Sequence, residues 1–80
     1  MTSEQLRAGR ALIKWSAEDL AKDSGVGVAT IRRLESSFGT PSSNARTLEL
    51  LRKSLEVAGV EFIGTPEQGP GVRLWRKTED

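Results

Sequence analysis

The sequence predicts a mainly α fold, four helices followed by a C-terminal two-stranded β-hairpin, and three observations carry that reading. Apolar residues recur at helical spacing as far as Ala58. Hydroxyl residues with acceptor-bearing partners three positions on mark helix starts, and glycines mark helix ends. After Gly59 the pattern changes to two short alternating runs around a Gly/Pro-rich connector. A chain of 80 residues leaves room for one small core. The expected units are residues 1-59, all helical, and residues 60-80, the hairpin with a short polar tail.

The first helix is expected to start at Thr2 or Ser3, because Thr2 with Gln5 three residues on matches a capping box that satisfies orphan backbone N–H groups reciprocally. Leu6, Gly9 or Arg10, and Ile13 fall on one face, with Leu12 and Trp15 beside it. Ser16 and Asp19 form a second such box, opening a short helix that carries Leu20 and Ala21 inward and stops at Gly25. Val28 to Ser36 reads as a third helix with Ile31 and Leu34 inward. Ser37 to Ser43, with Gly39, Pro41 and further hydroxyl residues, reads as a loop. From Asn44 to Ala58 a longer helix places Leu48, Leu51, Leu55 and Ala58 on a core stripe, and Leu50 and Val57 on a second stripe that hints at association. Val60 to Ile63 and Val72 to Lys77 alternate as strands. An isolated ribbon of this kind is marginal in water, so the helical body or a second copy must cover it.

Twelve Lys/Arg against eleven Asp/Glu give a net charge of +1, so attraction to polyanions depends on where the charges sit. Arg73, Arg76 and Lys77 are partly offset by Glu79 and Asp80. Without cysteine or histidine the chain lacks disulfides, thiolate metal sites and the usual zinc or haem ligands. No catalytic residue, metal or cofactor is expected. No apolar run approaches the roughly 20 residues that span a bilayer, and the reading is a soluble, cytoplasmic protein with no membrane partner.

The informative stretch is Ser16 to Glu35, SAEDLAKDSGVGVATIRRLE. Ala21 offers a small residue where two short helices meet, Gly25 admits positive φ between them, and Leu20, Val26, Ile31 and Leu34 fill the angle. Ala21, Gly25 and Ile31, at spacings of 4 and 6, carry the geometric signature of a helix-turn-helix. With the helices on either side, the segment resembles the Cro and lambda-type repressor family, also called the xenobiotic-response-element family of bacterial and phage regulators, over roughly Thr2 to Ala58.

The resemblance implies that residues 1-59 form a double-stranded-DNA-binding domain whose third helix enters the major groove. Val28, Ala29, Thr30, Arg32 and Arg33 would then read base edges, Arg33 by two parallel hydrogen bonds to a guanine and the small apolar groups by contact with thymine methyls. Phosphate contacts would come from Lys14, the position of Ala17, Lys22, Ser37, Thr40, Ser43, Asn44 and Arg46. The family often has glutamine where Ala17 stands, so that position lacks a side-chain donor. Gly27 and Val28 likewise replace residues that are usually polar. Arg10 and Glu35 occupy the positions of a structural ion pair common in the family. The fifth short helix of many relatives has no counterpart, and the hairpin is expected to make the dimer instead, with Leu50, Val57, Phe62, Ile63, Leu74 and Trp75 at the interface.

These expectations converge on a sequence-specific transcriptional regulator, bacterial or phage-encoded and nucleoid-associated when bound. It would act as a homodimeric repressor of a palindromic operator. The alternative is an antitoxin-like or adaptor protein that holds a protein partner and binds DNA weakly or autoregulates.

Overall fold

A computed structural model describes residues 1–75. It contains α1 (Ser3–Leu12), α2 (Ala17–Ser24), α3 (Val28–Glu35), α4 (Ala45–Val57), β1 (Val60–Ile63) and β2 (Gly71–Leu74). The mainly α class with a terminal hairpin stands as expected, with helix ends within a residue or two of the predicted ones. The anticipated extension of β2 through Arg76 and Lys77, and the acidic Glu79 and Asp80, lie outside the described residues.

Local chemistry starts and stops the helices where the pattern placed them. Thr2 Oγ1 accepts from the Gln5 N–H at 3.0 Å while the Gln5 side chain accepts from the Thr2 N–H at 2.8 Å. Ser16 and Asp19 make the same reciprocal pair at 3.0 and 2.9 Å. Gly25 ends α2 at φ +81°, a left-handed conformation that costs glycine nothing. Asn44 caps α4 by accepting from the Thr47 N–H at 2.7 Å.

Leu6, Ala17, Leu20, Val26, Ile31, Leu34, Leu51, Leu55 and Val60 form the core. Each fully buried leucine contributes about 1.5–3 kcal/mol of hydrophobic stabilisation. Of the expected α4 stripe, Leu51 and Leu55 are buried, Leu48 and Ala58 half-buried. Ser54 completes the buried face, its hydroxyl donating to the Asp23 carboxylate on α2. Gly9 lets α1 come close to the end of the core: a Cβ there would stand 3.3 Å from Leu55 Cδ1 and 3.4 Å from Val60 Cγ1.

The hairpin is covered by the helical body, α1 packing against β2 and α4 against β1. The strands are antiparallel, pairing Val60 with Leu74, Glu61 with Arg73, Phe62 with Val72 and Ile63 with Gly71. Gly59 joins α4 to the sheet. Its φ is +111°, a Cβ would stand 2.8 Å from the Trp75 carbonyl oxygen, and its own carbonyl accepts from the Trp75 N–H at 2.7 Å. The buried Gln5 side chain also donates to the carbonyls of Ile63 at 3.1 Å and Gly71 at 2.8 Å, so one amide closes a helix cap and fastens the ribbon.

Candidate nucleic-acid interface

The turn that presents α3 is short and locally specified. After the left-handed Gly25, the Val26 N–H bonds the Ser24 hydroxyl at 3.1 Å and Val26 enters the core. Gly27 precedes α3 in an extended conformation and supplies no side-chain cap, leaving only its carbonyl to accept from the Ile31 N–H at 3.1 Å. Ile31 and Leu34 then bury the inner face at 0% and 1% exposure.

The C-terminal end of α3 is held by α1. Ser3 Oγ donates to the Leu34 carbonyl at 2.6 Å, and the Arg7 guanidinium donates to the carbonyls of Glu35 and Ser37. Arg10 meets the Glu35 carboxylate with Nε at 2.6 Å and Nη2 at 2.7 Å, and its Nη1 donates to the Trp15 carbonyl at 2.8 Å. The hydrogen bonds to Glu35 raise the Arg10 pKa further above its ordinary value, against the opposing effect of burial. None of the α1 contacts through Ser3 and Arg7 has a local sequence signal, since the partners lie 28 to 31 residues away.

The expected readout residues share one short helix but not one environment. Ala29, Arg32 and Arg33 are exposed, Thr30 is half-buried, and Val28 is half-buried because it packs against the core. Arg33 stands in solvent with Nη1 donating to the Ser42 carbonyl at 3.3 Å, which places the following loop alongside it. Arg32 donates to the Glu18 carboxylate on α2, both side chains remaining about 60% exposed. A hydrogen bond from its own backbone N–H, reinforced by the Arg32 charge, holds Glu18 below the usual carboxylate range. With Asp19 beside it, lowered chiefly by the hydrogen bond from the Ser16 N–H, the first turn of α2 is acidic.

Of the positions expected at phosphate, Lys14, Lys22, Ser37, Thr40, Asn44 and Arg46 are exposed and Ser43 is half-buried. Ala17 is only 8% exposed, because its methyl belongs to the core; an anion could approach that position only through its backbone N–H. Lys14 sits at φ +60° in the α1–α2 connection. Lys22 borders a shallow depression with Trp15, Asp19 and Asp23.

The four hairpin residues expected at a dimer interface divide between the two sides of the ribbon. Strand alternation places Phe62 and Leu74 on one side of the ribbon, where Phe62 packs against the core. Ile63 and Trp75 fall on the other side. There Trp75 Nε1 and Arg73 Nε both donate to Glu61 Oε1, at 2.6 and 2.9 Å, and the Arg73 guanidinium lies 5.5 Å from the Trp75 ring centre. Leu50 and Val57 lie on α4, 36% and 73% exposed.

Among the described residues no group of acidic side chains is arranged to hold a metal ion, and no helix is long and apolar enough to cross a membrane. A family model described as Helix-turn-helix matches residues 6–62, more than half of the chain. No curated protein matches it. The caps, the left-handed Gly25, the anchored third helix and the family match agree, and the chain belongs to the xenobiotic-response-element family of Cro and lambda-repressor-like helix-turn-helix proteins, DNA-binding regulators of transcription.

Proposed function

We propose that the protein is a dimeric repressor that recognises a palindromic operator through α3 and blocks transcription by occupying it. The observation that carries this reading is the division of α3 into an anchored and a free face. Ile31, Leu34 and Glu35 tie the helix to the body, while Ala29 and Arg33 are exposed, Thr30 is half-exposed, and Arg32 is exposed with Glu18 as its partner. Arg33 is the principal reader, with a donor fork suited to guanine O6 and N7. Arg32 and Thr30 assist, and Ala29, with the exposed part of Val28, offers apolar contact to thymine methyls. Lys14, Lys22, Ser37, Thr40, Ser43, Asn44 and Arg46 position the domain on the phosphates, joined at Ala17 by a backbone N–H.

For the dimer, the supporting feature is the exposed α4 stripe. Leu50 and Val57 border a groove of about 210 Å³ completed by Asp23, Ser24, Lys53 and Ser54. An acid and a base beside an apolar stripe suit a two-fold contact in which Lys53 of each copy meets Asp23 of the other. Two α3 helices would then meet half-sites about one helical turn, roughly 34 Å, apart. In a cell the dimer works at the nucleoid.

Selection of bound duplexes from a random pool tests the proposal. It should yield an inverted repeat, and a footprint over that repeat should be lost at equal protein concentration with Arg33→Ala. Recovery of no preferred sequence would overturn it. A second reading, an adaptor or antitoxin-like role with a protein partner, is favoured by one observation: Trp75 is 62% exposed on the outer face of the ribbon. Co-purification of a stoichiometric partner that Trp75→Ala releases would support it.

A further inference from the structure

Phe38 is the most exposed large hydrophobic side chain among the described residues, at 86%, yet the loop around it is firmly attached. The Ser3 N–H donates to the Gly39 carbonyl at 2.8 Å, the Gly39 N–H donates to the Glu4 carboxylate at 3.1 Å, and Arg7 holds the Ser37 carbonyl at 3.3 Å. α1 therefore grips the residues on both sides of Phe38 while its ring remains in water. A phenyl ring held out in this way costs solvation free energy in the free protein, and a covering surface would recover it.

Position identifies that surface. Phe38 follows α3 by three residues, and the same loop reaches Ser42, whose carbonyl takes a hydrogen bond from Arg33. The ring belongs to the loop that leaves the helix assigned to DNA, between the exposed hydroxyl residues Ser37 and Thr40 in sequence. The outer surface of a duplex alternates phosphates, which hydroxyls and amides can bond, with deoxyribose faces, which are apolar. We propose that Phe38 packs on a deoxyribose of the strand bordering the major groove while Ser37 and Thr40 bond the phosphates on either side. The inference rests on α3 being the DNA-reading helix. It adds a contact that carries no charge and no base preference.

Such a contact has a signature distinct from that of Arg33. Removing it weakens binding to all duplexes alike and leaves the salt dependence intact, because no counterion is released. The test measures dissociation constants of wild type, Phe38→Ala and Phe38→Leu for the selected operator and for an unrelated duplex between 50 and 200 mM salt, with the native mass and melting temperature of each variant. Phe38→Ala should fold and assemble as wild type does and bind both duplexes roughly tenfold more weakly, the effect of leaving about half a phenyl ring in water. Its salt slope should be unchanged, and Phe38→Leu should recover part of the loss. Equal binding by Phe38→Ala and wild type would overturn the inference alone. So would a loss confined to one duplex, a changed salt slope, or a variant whose native mass falls, which would make Phe38 a contact between copies. A wild-type chain that binds no duplex would overturn the DNA reading of α3 and this contact with it.

Discussion

Arg10 and Glu35 face each other edge to edge, two parallel hydrogen bonds of 2.6 and 2.7 Å joining the end of α1 to the end of α3. The carboxylate is 9% exposed and the guanidinium 20%, so solvent screens the pair only partly. Glu35→Ala would leave the half-buried Arg10 charge without a counter-charge, its remaining partner being the Trp15 carbonyl. We expect a loss of about 2–4 kcal/mol in urea unfolding, somewhat below the range for fully buried pairs because the guanidinium is partly exposed. The exposed i,i+4 pair Arg52–Glu56, 3.0 Å apart, should give no more than about 0.5 kcal/mol on Glu56→Ala.

Gln5→Ala removes the side-chain half of the capping box and two bonds to strand carbonyls at once, while the Thr2 hydroxyl keeps its bond to the backbone N–H of residue 5. The expected cost is about 2–3 kcal/mol, the sum over a Thr2 N–H and two strand carbonyls that lose this partner. Hydrogen exchange should locate the damage, since amides of β1 and β2 would lose more protection than those of α2 and α3. Equal loss throughout would mean that the ribbon is not fastened by this side chain.

Substitution at two glycines separates strain from collision. Gly25→Ala meets open space and should cost about 1 kcal/mol, the penalty for a side chain in the left-handed region. Gly59→Ala meets that penalty and the Trp75 carbonyl oxygen 2.8 Å away, so it should cost at least about 1 kcal/mol more. Thermal melts of the two variants under one set of conditions decide it.

Glu18→Gln should tighten binding to any duplex and steepen its salt dependence. The variant frees Arg32 from its carboxylate partner and removes a negative charge from the first turn of α2. A change in slope of up to about one unit in log K against log salt is expected, the yield of one added phosphate contact. An unchanged slope would mean that Arg32 stays away from phosphate.

Acid should destabilise the fold from the ordinary carboxylate range downward. Glu4, Glu18, Asp19 and Glu61 all have lowered pKa values in the folded chain. Lowered folded values mean that their contribution is present above the unfolded pKa and is lost as pH falls through the folded one. For Asp19 the cause is the Ser16 N–H; for Glu61 it is first Arg73, then Trp75. Asp19→Asn should flatten the acid limb of a stability-versus-pH curve.

The sequence disclosed what is local. The Thr2–Gln5 and Ser16–Asp19 boxes, the stop at Gly25 and the onset of β1 after Gly59 each rest on residues within a few positions of one another, and each is in place. Of the long-range partners, only Arg10 and Glu35 are anticipated, and that through the family resemblance rather than through a local pattern. Nothing beside Gln5 announces Ile63 and Gly71, 58 and 66 residues away, and nothing beside Arg7 announces the end of α3. The hairpin also shows how composition misleads: Phe62, Ile63, Leu74 and Trp75 look alike as apolar residues, but alternation parts them, and of the four Phe62 packs against the core. Phe38 carries no signal in a hydroxyl-rich loop, because its meaning lies in what grips its neighbours.

Because Ser3, Arg7 and Arg10 secure α3 from behind through backbone carbonyls and the Glu35 carboxylate, its outward side chains bear little of the folding burden. Exchanging Ala29, Thr30, Arg32 and Arg33 as a set could therefore retarget the protein to a new address without redesigning its scaffold. The same arrangement would let related genes diverge in specificity while keeping one architecture.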